Sequence, residues 1–340
     1  MSSTRPIEII GGGLAGLSLG LALQNAGIAV RVIEAGNYPR HRVCGDFMTG
    51  LSNATVQSLG LKSLLADALQ HQQVAWFYRE QLICAQRLPS PALGLSRFTL
   101  DARLAHAFTA AGGELHRSTR AIDSDSVPGR ILAHGRSRSE SPWLGLKFHV
   151  HDLDLAQDLE LHLGDEAYIG LAKVETGAVN VCGLFRRRNL TAPGPALLVA
   201  YLNAVGLPRL ADRIARATFE TGSFSAISAL SYESVIPAPD TIRLGDAGGL
   251  IPPFTGNGMA IAFQSAETAL PHVIAYARSD ISWSVTCNHT NNALRRRFQH
   301  RLALARSLQP LLLAPNRQRF VAALARAHLL PLRLLYTLLH

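Results

Sequence analysis

Apolar residues at Ile7, Ile9 and Ile10 lead into Gly11-Gly12-Gly13 and then into an almost wholly apolar stretch that ends at Asn25. That stretch is too long for a strand and is stopped by Ala26-Gly27, so it predicts a helix. Ile28 to Ile33 predicts a second strand, ending on Glu34. Further along, the pattern predicts a helix from about Ser52 to Leu69, strands within 74–88, and a helix from Ser96 to about Ala111. Short strands follow at Glu114 to Arg117 and around Arg130 to His134. From Trp143 to Phe185 the period becomes two. Leu144, Leu146, Phe148 and Val150 share one strand face, and Lys147, His149 and His151 the other. Residues 195–217 read as a helix pair around Pro208 and Thr241 to Leu244 as a last short strand, with helices beyond.

Two styles of chain therefore alternate. The α/β style at residues 1–68, 97–135 and 232–275 predicts a discontinuous Rossmann-like domain. Residues 69–96 and 136–231 predict an inserted antiparallel β-sheet domain that would hold a substrate, and 276–340 a C-terminal helical segment.

The first strand-helix-strand unit carries Gly11-x-Gly13-x-x-Gly16, with Glu34 lying 18 residues past the last glycine. This is the pattern of a dinucleotide site. Gly11 permits a tight turn, Gly13 lets backbone approach a pyrophosphate, and Gly16 lets helix and strand pack closely. The first helical residues, Leu14 and Ala15, offer unpaired N–H groups to phosphate. Glu34, followed by Ala35, can accept from both ribose hydroxyls and would repel a 2′-phosphate. A second glycine-rich turn follows the last strand: Gly245-Asp246-Ala247-Gly248-Gly249, then Pro252-Pro253-Phe254-Thr255-Gly256-Asn257-Gly258-Met259 and a long helix through Ala275. Gly256 and Gly258 allow a flat ring to lie against backbone, and the helix dipole suits negative charge on it.

Composition narrows the class. With 340 residues and 48% hydrophobic content, the chain can bury a large core. Cys44, Cys84, Cys182 and Cys287 show no paired spacing, which predicts a reducing compartment and a cytoplasmic protein. No apolar stretch is long enough to span a bilayer, and the apolar residues 9–23 lack the basic flank of a signal peptide. The net charge of +9 sits in the tail: residues 291–340 hold nine arginines and no acid. A basic groove with aromatic platforms is missing, so no nucleic acid partner is expected. The arginines interleave with leucines, and each cation beside an anionic bilayer is worth roughly 1 kcal/mol. The expectation is a helical cap on the body, with at most weak, salt-sensitive peripheral contact at the inner membrane face. Pro310, Pro315 and Pro331 are expected to break it into short helices.

The two glycine-rich turns, the Arg42-Val-Cys-Gly-Asp stretch, Ser-Arg97-Phe-Thr-Leu-Asp and Pro-Pro-Phe-Thr-Gly-Asn-Gly-Met together resemble the superfamily of FAD-dependent aromatic hydroxylases and geranylgeranyl reductases over residues 6–275. The resemblance implies an extended FAD, with its ADP moiety on Gly11, Gly13, Gly16 and Glu34. Arg42 and Arg97 would contact phosphate or ribityl groups, and Asp246 the ribityl chain. The backbone of Gly256, Asn257, Gly258 and Met259 would face the ring, with Cys44 and Gly45 nearby. It further implies an oxidoreductase acting on a lipophilic or aromatic small molecule, with hydroxylation expected first. Reduction or dehydrogenation of a carbon–carbon bond is the alternative, and a non-catalytic flavin-binding protein a third. Hydroxylases of this superfamily carry a mid-chain Asp-Gly pair tied to FAD and NAD(P)H. Here the stretch reads Ala133-His134-Gly135-Arg136-Ser137-Arg138, so NAD(P)H is expected only as a transient donor or by way of a reductase partner.

No catalytic residue stands out. Cys44 is expected to pack rather than react. Lys147, His149 and His151, opposite Glu160 and His162, are expected to form a solvated strand face; without a third ligand or carboxylate at suitable spacing they do not predict a metal.

Overall fold

The computed structural model describes residues 4–121, 127–136, 141–228 and 238–339. Ile7–Ile10 forms β1, Leu14–Asn25 α1 and Val30–Ile33 β2, with Ile7 opposite Val30 and Ile10 opposite Ile33 in parallel register. β3 (Phe47–Met48) and α2 (Asn53–Ser58) follow. The helix expected from Ser52 to Leu69 is thus short. Ser52 Oγ caps it by accepting from Thr55 N at 3.1 Å, and Gly60, at a left-handed φ of 66°, ends it. A single 3-10 turn at Ser63–Leu65 lies beyond.

β4 (Leu69–Tyr78) and β5 (Gln81–Gly94) outrun the expected 74–88. They reverse at Arg79 and Glu80, whose φ values of 47° and 63° are those of a two-residue hairpin turn usually given to Asn-Gly. Pro89 and Pro91 do not end β5, because Arg87 faces Gln73 while Ala92 faces His71. The missing N–H groups of the prolines fall in that bulge.

α3 (Arg97–Ala110), β6 (Glu114–His116) and β7 (Arg130–Leu132) lie close to their expected positions. β8 (Trp143–His151), β9 (Leu159–Gly164), β10 (Ala167–Lys173) and β11 (Val179–Arg186) come next. The helix pair is α4 (Pro195–Ala204) and α5 (Pro208–Ala215), followed by β12 (Thr218–Phe219) and β13 (Ser225–Ile227). After β14 (Ile242–Arg243) the chain is helical: α6 (Gly258–Ala277), α7 (Trp283–Leu313), α8 (Pro315–Arg326) and α9 (Leu332–Leu339). Pro315 and Pro331 separate helices as expected. Pro310 does not, since α7 runs through it to Leu313 and forgoes the one backbone hydrogen bond a residue there would donate.

Among the described residues one sheet runs β14-β7-β1-β2-β6, every pair parallel. The other runs β12-β8-β11-β10-β9-β4-β5-β3, with β13 also on β8. Its neighbours are antiparallel except β4 and β9, so the sheet expected to be antiparallel is mixed. β3 belongs to it, which carries the second sheet back across the expected boundary at residue 68. The boundary expected at 231/232 lies outside the described residues.

Burial explains the layering. α1 is buried over ten consecutive residues, Leu14 to Leu23, packed between the first sheet, α3 and α6. The second sheet packs Leu146, Phe148, Ile169 and Val181 against Leu198, Leu202 and Ile214 of the α4–α5 pair. Its β4–β5 end and part of β10 meet Leu312 and Leu313 of α7 and Ala322 of α8.

Candidate functional site

A groove of about 2290 Å³ runs between the two sheets. That is more than twice the roughly 300–1,000 Å³ of an ordinary ligand cleft, room for a dinucleotide and a second molecule together. Its wall includes Glu34, Ala35, Arg120 and Ala121, with Gly11, Gly13, Leu14, Ala15 and Arg42. Arg97, Gly245, Asp246, Cys44, Gly45, Gly256, Gly258 and Met259 also line it. So do the apolar side chains of Trp76, Leu161, Leu171, Leu184, Ile227 and Phe254. Of the residues expected from the sequence, Gly16 and Asn257 are not in the wall.

Both helix N-termini that face this groove are bare. α1 starts after Gly13 and α6 after Asn257, and neither has a side chain capping its first N–H groups. Such groups ask for an anion or an electron-rich ring. Added Cβ atoms show why glycine stands where it does. At Gly11, with φ of 110°, a Cβ would meet Ala133 O at 2.3 Å, and at Gly16 it would meet Gly11 O at 2.0 Å. At Gly13 it would meet nothing within 4 Å, so this position opens onto the groove. Gly16 therefore serves packing between α1 and β1 and does not face a ligand. At Gly256, with φ of 66°, a Cβ would strike Phe47 at 2.4 Å, which fixes the second turn against β3.

Glu34 is buried at the end of β2. Its Oε2 accepts from Gly12 N at 2.8 Å, and its Oε1 accepts from Gly36 N and Arg40 Nη2, both at 2.8 Å. A carboxylate has about four acceptor positions, so one remains for a ribose hydroxyl, where the sequence suggested two. Gly12 is held from its other side by Tyr38, whose hydroxyl donates to the Gly12 carbonyl.

Arg42 and Arg97 are brought together by a residue the sequence reading passed over. Asp101, fully buried on α3, accepts from Arg42 Nε at 2.9 Å and from Arg97 Nε and Nη2 at 2.8 Å each. The i,i+4 spacing of Arg97 and Asp101 was the available signal. Arg42 Nη2 and Arg40 Nε are buried and make no hydrogen bond among the described residues. Burial lowers the affinity of Arg42 for its proton, and Asp101 works against that. Two such donors beside a bare helix N-terminus are what a pyrophosphate would satisfy. Burial pushes the Asp246 carboxyl up, while Arg136, Arg97 and Arg42 pull it down. The bare helix N-terminus and the unpaired guanidinium nitrogens are donors that suit the pyrophosphate of FAD.

Asn257 turns away from the groove. Its amide accepts from Thr49 Oγ1 at 3.1 Å and donates to Leu339 O at 2.7 Å, so it fastens the second turn to β3 and α9. Through that contact the C-terminal helix becomes part of the site, with Leu335, Tyr336 and Leu339 in the groove wall. His134, Gly135 and Arg136 also line it, while Ser137 and Arg138 lie outside the described residues.

The strand face expected to be solvated is instead closed at Lys147 and His149, while the His151 side chain stays 41% exposed. Lys147 and His149 are buried, and they surround Asp46, itself buried at a left-handed φ of 53°. Asp46 Oδ2 lies 2.9 Å from His149 Nε2 and 3.3 Å from Lys147 Nζ. Lys147 Nζ also meets His41 Nδ1 at 2.9 Å. Burial alone would raise the Asp46 carboxyl, yet Lys147 and His149 hold it below the usual carboxylate range. The cluster fastens the loop carrying Arg42 and Cys44 to β8. Among the described residues no three His, Cys, Asp or Glu side chains gather as metal ligands would. Burial first pushes the Cys44 thiol up to about 11, which leaves it protonated at neutral pH, as a packing role requires.

Residues 4–140 match the FAD binding domain family and carry an FAD-binding domain. Among curated proteins the chain is similar to menaquinone reductase of Mycolicibacterium smegmatis, 26% identical over 138 residues, which are 39% of this chain and 34% of that protein. Menaquinone reductase of Mycobacterium tuberculosis is 28% identical over 120 residues, 34% of this chain and 29% of that one. The chain thus matches about a third of the length of these relatives. Among solved structures, PqsL of Pseudomonas aeruginosa in complex with 2-aminobenzoylacetate superposes with a TM-score of 0.73 at 19% identity, over 94% of this chain and 99% of that one. A geranylgeranyl bacteriochlorophyll reductase-like protein of Thermoplasma acidophilum gives 0.73 at 17%, over 94% and 91%. HpxO of Klebsiella pneumoniae complexed with FAD gives 0.73 at 16%, over 95% and 94%. The chain has the fold of these solved structures, and within it residues 4–140 match the FAD binding domain family.

Proposed function

We propose that this protein is an FAD-dependent oxidoreductase that acts on a lipophilic or aromatic small molecule, with hydroxylation as the first reading. One observation carries it: a single groove is lined both by the residues at two bare helix N-termini and by the apolar side chains of Trp76, Leu161, Leu171 and Ile227. FAD supplies the electron chemistry when bound. Gly13, Arg42 and Asp246 hold its polar parts, and Gly256 and Gly258 leave space for its ring. The apolar side chains exclude water and orient a substrate by shape. His134, before Gly135, stands where the carboxylate of the Asp-Gly pair would serve NAD(P)H, which favours transient docking of the donor or a separate reductase.

A second reading, reduction or dehydrogenation of a carbon–carbon bond, is favoured by the similarity of about a third of this chain to proteins named for a reductase activity. The two separate on the fate of oxygen. Hydroxylation places label from ¹⁸O₂ in the product and stops without oxygen. Bond reduction proceeds anaerobically with no label. A protein whose bound FAD no donor reduces would refute both.

A further inference from the structure

α9 has two faces. Leu335, Tyr336 and Leu339 line the groove, Tyr336 Oη shares a hydrogen bond with Ser90 Oγ at 2.6 Å, and Leu339 O accepts from Arg301 Nε at 2.7 Å. The other face carries Arg333, Leu334, Thr337 and Leu338, all exposed. Leu334 is 58% and Leu338 50% exposed; the preceding turn adds Leu329 at 67%, and α8 adds Phe320 at 62%. A lone exposed leucine needs no explanation. Here four of the seven large exposed hydrophobics found among the described residues fall within one short stretch, 320–338. Arg317, Arg319, Arg326 and Arg333 are exposed alongside them, and no acid occurs from 291 to 340.

Apolar side chains set among guanidiniums, without one carboxylate, complement a surface that offers hydrocarbon beneath anionic headgroups. A nucleic acid would pair the arginines but leave the leucines in water. A symmetric second copy would cover the leucines but set cation against cation. We propose that the α8–α9 surface docks on an anionic lipid bilayer, and that α9, with lipid on one face and the groove on the other, is the wall past which a lipid-dissolved substrate enters. The docking stands on the surface alone; the entry route rests on the lipophilic-substrate reading above.

The test uses the full chain loaded with FAD and sedimented with vesicles. Binding is expected to phosphatidylcholine–phosphatidylglycerol vesicles at low salt. It should fall about tenfold or more with pure phosphatidylcholine, or when salt shortens the Debye length to roughly 3 Å. Leu334→Ser with Leu338→Ser, and separately Arg317→Gln with Arg319→Gln, should each weaken binding by about threefold or more, with the flavin absorbance of either variant unchanged. Absence of binding at low salt overturns the proposal, as does equal binding by both double variants. A light-scattering shift from dimer to monomer in the leucine variant also overturns it, by assigning the face to a second copy. Because sedimentation needs no turnover, vesicle binding without activity on lipophilic compounds sinks the substrate reading and leaves the docking standing.

Discussion

Asp101 is the residue on which the cationic wall of the groove depends. It is fully buried and bridges Arg42 to Arg97. Removing one partner from such a set strands charge in the interior, so Asp101→Ala should cost about 3–5 kcal/mol, read by urea denaturation of the apoprotein. Gly13 is the opposite case. Its φ of −86° suits any residue and its Cβ position is empty, so the fold has no need of glycine there. Gly13→Asp should leave apoprotein stability within about 1 kcal/mol and abolish FAD retention on gel filtration. If retention survives, phosphate does not lie there. His41 sets a pH signature. Burial first, then Lys147 and His149, push it down to about 4 from 6.5, against Glu220 and Asp46. The unfolded chain takes up a proton between those values and the folded chain does not, so stability falls as pH drops from 6.5 to 4. Burial lowers His71 and His162 as well, and they add to the same fall. Glu160 is held near 2 by His162 and Arg213 although burial alone would raise it, which adds a separate loss as pH falls from 4.5 to 2. His41→Gln should flatten the upper part of the melting-temperature profile and leave the lower part. An unchanged profile above pH 4.5 would show that the ring is not held neutral.

Elements tie the site together through backbone groups. Asn257, at the start of α6, joins β3 to α9 through Thr49 and Leu339 O. Asn257→Leu leaves the Leu339 carbonyl with Arg301 and takes from Thr49 Oγ1 one of its partners, the Thr255 carbonyl remaining, and should cost about 1–3 kcal/mol. The amides of 332–339 should then exchange hydrogen faster, while those of β1 keep their protection. Elements whose signal was local were legible from the chain. β1, α1 and β2 follow from apolar runs bounded by glycine, and α3 from Ser96 and the paired glycines after it. β5 was cut short because Pro89 reads as a strand stop, and only pairing with β4 reveals the bulge that absorbs it. Lys147 and His149 were read as solvent-facing because alternation gives the faces of a strand but not what covers them. Their cover is Asp46, about a hundred residues away in sequence and held at a φ that no pattern announces. The glycines of the site were visible because of their spacing between a strand and a helix, although the neighbours that require them, Ala133 for Gly11 and Phe47 for Gly256, are tertiary. Asp101, Tyr38 and α9 became part of it only through tertiary contact.

At the scale of the whole molecule the groove joins the two sheets, so a ligand that fills it should bind the folded chain and not the unfolded one. FAD at about a hundred times its Kd should add roughly 2.7 kcal/mol to the unfolding free energy, and the purified protein should be yellow. A melting temperature indifferent to FAD would remove the central reading. The same architecture places a demand on synthesis. α1 shows water almost no surface, yet the two helices that cover it come later in the chain, α3 at 97–110 and α6 at 258–277. At roughly 5–20 residues per second a ribosome needs on the order of 10–50 s to deliver α6 after α1. Through that interval a ten-residue apolar helix has no partner on its α6 side. The nascent chain is therefore expected to be a client of chaperones that hold apolar segments, and the span 4–140, although it carries the FAD-binding domain, should aggregate when produced without the rest.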